Sequence, residues 1–186
     1  MKEVEILIEV NDTKEKALKA LGVFQFQGTF QVLDVYFVSP FTSDLQPDDA
    51  LRLKNSYRLR KKGEKSYLAY KVDHFINGNE WSHSDEYEIE ISDFEAALQI
   101  NQHLGFKELV RVDNIKHVFV TDQYEIVLEE VKDLGLFLEV EKRDQVSDQG
   151  VPRIKEEIRS FLKSLNLALG EEQNAGKPEL LLRKKG

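Results

Sequence analysis

The chain has 186 residues, with 34 Asp and Glu against 26 Lys and Arg, a formal charge of −8 and no cysteine. This length suits one domain with a buried core, and the lack of thiols excludes disulfides, thiolate metal sites and a cysteine nucleophile. The acidic balance argues against a nonspecific nucleic-acid binder, and no apolar run approaches the ~20 residues that cross a bilayer, so no nucleic acid, no membrane and a cytoplasmic location are the expectations.

Glu3-Val4-Glu5-Ile6-Leu7-Ile8-Glu9 reads as a strand reaching Val10, with three carboxylates on one face and an apolar opposite face, because side chains alternate along extended backbone. Asp12-Thr13-Lys14-Glu15 resembles a capping box, and Ala17, Leu18 and Leu21 continue a helix that Gly22 ends. A β-rich run from Gln31 to Val38 stops at Ser39-Pro40, and a polar loop follows through Asp49. Tyr57 to Lys62 and Ser66 to Val72 flank a hairpin turn at Lys62-Gly63-Glu64-Lys65, and Asn77-Gly78-Asn79 marks another turn. Glu86 to Ile91 alternates cleanly as a strand. Ser92-Asp93-Phe94-Glu95 then opens a helix that runs to Gly105 with Phe94, Ala97, Leu98 and Leu104 apolar.

Arg111 to Val120, Tyr124 to Glu130 and Phe137 to Arg143 supply three more strands, and Pro152 suits the first turn of a third helix built on Ile154, Ile158, Phe161, Leu162 and Leu165. Gly170 to Gly176 reads as a polar linker to a short apolar tail. Residues 1–186 are thus expected as a single domain of seven or eight strands and three helices, an antiparallel α+β fold.

Charge recurs on one face of almost every strand: Arg58, Arg60 and Lys62; Lys71; Glu86, Glu88 and Glu90; Lys116; Glu129; Glu139 and Glu141. An antiparallel sheet with one wet face explains such a pattern at the level of any one strand. It does not explain the sorting, since arginines gather on one strand and glutamates on others, where a surface built for solubility intersperses the signs. An antiparallel closed or nearly closed β-barrel with helices packed outside turns these faces into a lumen and moves the apolar core outside the wall. Such a lumen suits a polyanion delivered with a divalent cation: guanidinium groups chelate phosphate oxygens, and glutamates offer the hard oxygen ligands that Mg²⁺ or Mn²⁺ takes.

Read in order, Glu3-Val4-Glu5, Asp34-Val35-Tyr36-Phe37, Arg58-Leu59-Arg60, Tyr70-Lys71, Glu86-Tyr87-Glu88 and Leu134-Gly135-Leu136-Phe137-Leu138-Glu139-Val140-Glu141 resemble the motif series of the CYTH family, which includes class IV adenylyl cyclases, thiamine triphosphatases and inorganic triphosphatases on a triphosphate-tunnel fold. The resemblance spans residues 3 to 141. It implies a metal-dependent enzyme acting on a small-molecule triphosphate, with class IV adenylyl cyclase (ATP to cyclic AMP and pyrophosphate) ahead of a triphosphatase or a degenerate tunnel that binds without turnover. It also implies that Glu3, Glu5, Glu139 and Glu141 bind Mg²⁺ or Mn²⁺, with Glu129 where the family usually has aspartate. Arg58, Arg60, Lys71 and Lys116 would hold the triphosphate, Lys71 and Lys116 standing closest to catalysis, with Glu86 and Glu88 in the acidic wall. Oligomeric state stays open between monomer and homodimer.

Several positions depart from the family pattern. Leu7 and Asn114 stand where lysines belong, and Lys116 replaces an arginine and so loses the bidentate fork. The tyrosine that often occurs near the C-terminus is not evident around Lys177 to Leu181. If the tunnel is a weakened enzyme, Leu7→Lys is expected to raise metal-dependent phosphate release.

Other chemistry finds little support. His74, His83, His103 and His117 lack metal-ligand spacing, and His117 points away from Lys116, outside any lumen. No Gly-rich phosphate loop or nucleophile elbow is present. Trp81, Tyr67 and Tyr70 are aromatics on strands, a placement that more often serves the core than base stacking.

Overall fold

The computed structural model describes residues 2–76, 80–143 and 150–185. The turn expected at Asn77-Gly78-Asn79 lies outside the described residues. In chain order the elements are β1 (Lys2–Glu3), β2 (Glu5–Val10), α1 (Lys14–Leu21), β3 (Gln25–Val38), a short 3-10 turn (Ser43–Leu45), β4 (Asn55–Lys62), β5 (Lys65–Ile76), β6 (Glu80–Ile91), α2 (Phe94–His103), β7 (Lys107–Val120), β8 (Tyr124–Val131), β9 (Gly135–Lys142), α3 (Val151–Ser164), β10 (Leu169–Glu172) and α4 (Lys177–Lys185).

The first two helices start one residue later than the expected capping boxes place them, with Thr13 and Asp93 as the caps in place of Asp12 and Ser92. Thr13 Oγ1 accepts from the Lys16 amide at 3.3 Å and Asp93 Oδ1 from the Ala96 amide at 2.9 Å, each satisfying an amide that the first helical turn leaves unpaired. Gly170 to Gly176, expected as a linker, instead contributes β10. This strand pairs antiparallel with β2 through backbone bonds, which need no apolar signature in the sequence.

All ten strands lie in one antiparallel sheet, ordered β1-β6-β5-β4-β3-β7-β8-β9-β2-β10. The first strand in the order and the ninth are consecutive in sequence, separated only by the fully buried Val4. Lys2–Glu3 pairs with β6 at one margin, and Glu5–Val10 pairs with β9 near the other. One short stretch of chain therefore draws both ends of the sheet together, and the sheet curls into the nearly closed barrel anticipated from the charge pattern.

Alternation around this wall sorts the side chains into three apolar clusters. Ile6, Ile126, Leu128, Leu138 and Val140 face outward under Ala17 and Leu21 of α1 and Ile158 and Leu162 of α3. Val35, Phe37 and Leu59 face outward under Phe94 of α2. The third cluster is inside the barrel: Leu7, Tyr36, Val110, Val112, Val131 and Phe137 meet Leu181 of α4. Helix α4, read as a short tail, is thus an apolar stopper, and its buried leucine face contributes hydrophobic stabilisation in proportion to the area it removes from water.

Candidate functional site

The register of the hairpins decides which charges share the lumen. The turn at Asp133 and Gly135, both at positive φ, sets Val131 opposite Gly135, and counting back along the ladder brings Glu125 opposite Glu141. On the next strand Glu5 also lies opposite Glu141, so Glu5, Glu141 and Glu125 form one row across three strands. Across the barrel, Lys71 is opposite Glu86 and Arg58 lies opposite Ala69, which is itself opposite Glu88. These walls enclose a cavity of about 870 Å³ lined by Glu3, Glu5, Arg58, Arg60, Lys71, Glu86, Glu88, Lys116, Glu139 and Glu141. Of the expected site residues, Glu129 alone is absent from that lining. It is fully buried in the wall behind and is reached by two ammonium groups.

The basic side chains are held by carboxylates. Arg60 forms a bidentate pair with Asp34 at 2.7 and 2.9 Å, and its Nη1 is 3.9 Å from Glu88. Burial pushes the Asp34 carboxyl up, but the Arg60 guanidinium outweighs it and holds the group well below the usual carboxylate range. Arg58 donates to Glu86 at 2.5 Å and to the Tyr36 hydroxyl at 3.3 Å, while its buried Nε–H has no acceptor. A buried guanidinium donor without a partner is costly, and it is the kind of group an incoming anionic oxygen satisfies.

Lys71 lies between two glutamates, 3.1 Å from Glu3 and 3.1 Å from Glu5, with Glu86 at 3.9 Å. A second knot forms behind it, where Lys116 is 3.0 Å from Glu129 and 3.9 Å from Glu139. Lys177, at the start of α4, reaches the same two carboxylates at 2.8 and 2.5 Å. Asn114 Nδ2 also donates to Glu129, at 2.8 Å. Burial raises the Glu139 carboxyl, yet Lys177 and Lys116 together hold it well below its ordinary value. Glu141 has no such support: burial and then the charges of Glu5, Glu3 and Glu139 push it up to about 9. Glu3 is raised to about 8, by burial first, with Lys71 pulling the other way.

The donor set is all oxygen and rich in carboxylate, which suits Mg²⁺ or Mn²⁺. Among the described residues, however, no three carboxylates already form a cage for a metal ion. In the two knots, lysine ammonium groups occupy carboxylate oxygens that a metal ion would take. Glu141 and Glu3, lifted by burial first and then by neighbouring carboxylates, are the positive sign of fit, because a divalent cation offsets both effects.

Several lumen residues carry little or no functional signal in the sequence. Glu125 was readable, since it shares a period-two face with Glu129. Asp34 was noticed without its role as the partner of Arg60. Lys177 and Glu179 carried no signal, because they follow a polar stretch and enter the barrel only through tertiary packing. The histidines fall outside the lumen: His117 bonds Thr29 at 2.9 Å and Glu130 at 3.3 Å on the outer face, and His74 stacks on His83 with centroids 4.5 Å apart.

The model of the CYTH domain matches residues 1–172. The chain belongs to the CYTH family. A Methanocaldococcus jannaschii protein named "Putative adenylate cyclase MJ0240" is 32% identical over 174 residues, covering 90% of this chain and 91% of that protein. Among solved structures, a Pyrococcus horikoshii protein, PH1819, superposes with a TM-score of 0.80 at 24% identity, covering 98% of this CYTH chain and 99% of its own. A Hippeastrum protein described as a putative adenylyl cyclase with a dominant triphosphatase activity superposes with a TM-score of 0.67 at 18% identity, covering 100% and 96%. Both superpositions report a shared fold. Within this CYTH barrel no helix is long and apolar enough to cross a membrane, among the described residues.

Proposed function

We propose that this CYTH protein is a divalent-cation-dependent enzyme that grips a nucleoside or organic triphosphate in its tunnel and acts as a class IV adenylyl cyclase. The carrying observation is the convergence of Arg58, Arg60, Lys71 and Lys116 on one enclosed cavity whose facing wall is carboxylate, with the Arg58 Nε–H still lacking an acceptor. A cavity of about 870 Å³ lies in the range that holds a nucleotide-sized ligand. The relative's name points the same way.

In this reading Arg58 and Arg60 take phosphate oxygens, and Lys71 and Lys116 offset the charge that builds on the oxygens around the reacting phosphorus. Glu3, Glu5, Glu129, Glu139 and Glu141 would hold the cation, with Glu86 and Glu88 fixing the basic side chains. The cation supplies Lewis-acid polarisation of the phosphoryl oxygens. For cyclisation, the 3′-hydroxyl oxygen bonds to the α-phosphorus, the bond from that phosphorus to the bridging oxygen breaks, and pyrophosphate leaves while the hydroxyl proton is lost to solvent or a lumen carboxylate.

Hydrolysis is the second reading, in which water attacks the terminal phosphorus of thiamine triphosphate or tripolyphosphate, the bond from that phosphorus to its bridging oxygen breaks, and thiamine diphosphate or pyrophosphate leaves as the attacked phosphorus becomes orthophosphate. It is favoured by the surroundings of Trp81, an indole in the cavity wall, which has the Lys71 and Lys155 ammonium groups 5.5 and 5.3 Å from its centroid, where an adenine would compete for the ring. The two are separated by incubating the protein with ATP, thiamine triphosphate and tripolyphosphate under Mg²⁺ and Mn²⁺, and assaying cyclic AMP, pyrophosphate and orthophosphate separately. Equimolar cyclic AMP and pyrophosphate from ATP, abolished in Arg58→Ala, is the expected result. Orthophosphate without cyclic AMP assigns hydrolysis, and metal-dependent binding without turnover assigns a degenerate tunnel. Turnover unaltered in Arg58→Ala would overturn the site.

A further inference from the structure

The knot around Glu129 and Glu139 is built from two ends of the chain. Position 7 of β2 lies directly opposite Glu139, but its leucine is buried among Phe137, Val112 and Leu181 and brings no charge. The charge arrives instead from α4, where Lys177 Nζ is 2.8 Å from Glu129 and 2.5 Å from Glu139. Its placement is enforced on both sides. Glu179, two residues further into the helix, accepts from the Leu53 amide at 2.8 Å and from the Gly176 amide, and Leu181 anchors the next turn in the interior cluster. The segment from Asn174 to Glu179 lines the cavity itself.

Local neutrality constrains what this knot accepts. Two carboxylates face two ammonium groups, those of Lys116 and Lys177, so the knot is balanced as it stands. A divalent ion arriving alone adds two positive charges to a largely buried site and must compete with both lysines; a triphosphate alone meets the carboxylates. Either addition leaves uncompensated buried charge, which is expensive. Arriving together, the ion offsets roughly half of the triphosphate's charge, and Arg58, Arg60 and Lys71 of the same cavity face the remainder.

We propose that Lys177 is a tethered counter-cation that holds Glu129 and Glu139 until a metal-bound triphosphate enters, when its ammonium turns to a phosphate oxygen and releases the carboxylates to the ion. This deepens the triphosphate reading and rests on it. The residue couples the two ligands, so that each binds tightly only in the presence of the other.

The test is a set of binding titrations on the full chain, following free Mn²⁺ by electron paramagnetic resonance with and without tripolyphosphate, for the native protein, Lys177→Met and Lys177→Arg. In the native protein tripolyphosphate is expected to tighten Mn²⁺ binding by about 100-fold, within the range of ordinary coupling between sites. In Lys177→Met, Mn²⁺ alone is expected to bind about 10-fold tighter, with the coupling reduced to less than about 10-fold, and Lys177→Arg is expected to keep the native pattern. Native-like Mn²⁺ affinity and coupling in Lys177→Met would overturn the role of this lysine while leaving the triphosphate reading intact. A native protein that binds no tripolyphosphate even with Mn²⁺ overturns both. Should Lys177→Met not fold, the arginine variant decides: it keeps the charge, so tighter Mn²⁺ binding there also counts against the proposal.

Discussion

Leu7 stands where the family resemblance calls for lysine, and its surroundings reverse what that substitution was expected to do. The side chain is 3% exposed and packs inside the barrel against Phe137, Val112 and Leu181, so a lysine there would bring a charge into an apolar cluster. Its natural partner, Glu139, already receives Lys177. Leu7→Lys is therefore expected to cost about 3 kcal/mol of stability, the scale of an uncompensated buried charge, and to give no gain in phosphate release. Urea unfolding beside a turnover assay checks both halves, with Leu7→Met as a volume-conserving control; a rise in turnover at native stability would count against this account. Asn114 follows the same logic. It brings no charge but donates a hydrogen bond to the buried Glu129, so it helps orient that carboxylate.

Among the elements, α4 has the largest ratio of consequence to sequence signal. Leu180, Leu181 and Leu182 are consecutive and show no helical stripe, and charged residues follow them, so nothing in the tail announces that Leu181 would fill the interior. Leu181→Ala is expected to destabilise the protein by about 2–4 kcal/mol, as truncation of a buried leucine does, and to weaken metal-dependent triphosphate binding, because the same helix carries Lys177. Chemical unfolding and a binding titration read the two effects; a stability loss without any binding change would mean that the stopper and the site are independent. By contrast, the strands were legible because alternation of Glu and Ile in β2, or Arg and Leu in β4, leaves one face each for lumen and core. The barrel followed from the sorting of signs between strands. What escaped was whatever depends on backbone pairing alone, such as β10, or on contacts between distant segments, such as Lys177 with Glu139.

At the scale of the whole molecule, the lumen makes stability depend on pH. Burial and mutual repulsion raise Glu141 to about 9 and Glu3 to about 8, from an ordinary 4.5. A carboxyl raised by folding contributes stability that is complete below its unfolded value and is lost as pH climbs through the folded one. The lowered groups Asp34, Glu86 and Glu139 act in the opposite sense and lose their contribution only in acid. Stability without added metal is thus expected to fall between pH 6 and pH 9 by on the order of 2 kcal/mol, or roughly 4–8 °C in Tm, and millimolar Mg²⁺ is expected to restore it at pH 9. Thermal melts at the two pH values, with and without Mg²⁺ or a chelator, measure this; a flat profile would remove the electrostatic account of the acidic wall. The seam at Val4 has a consequence for biosynthesis. The segment that joins both margins is synthesised more than a hundred residues before its partner Gly135–Lys142. Until β9 is made the wall cannot close and its ionic rows stay open to water, and Lys177 reaches Glu129 and Glu139 only once α4 has followed.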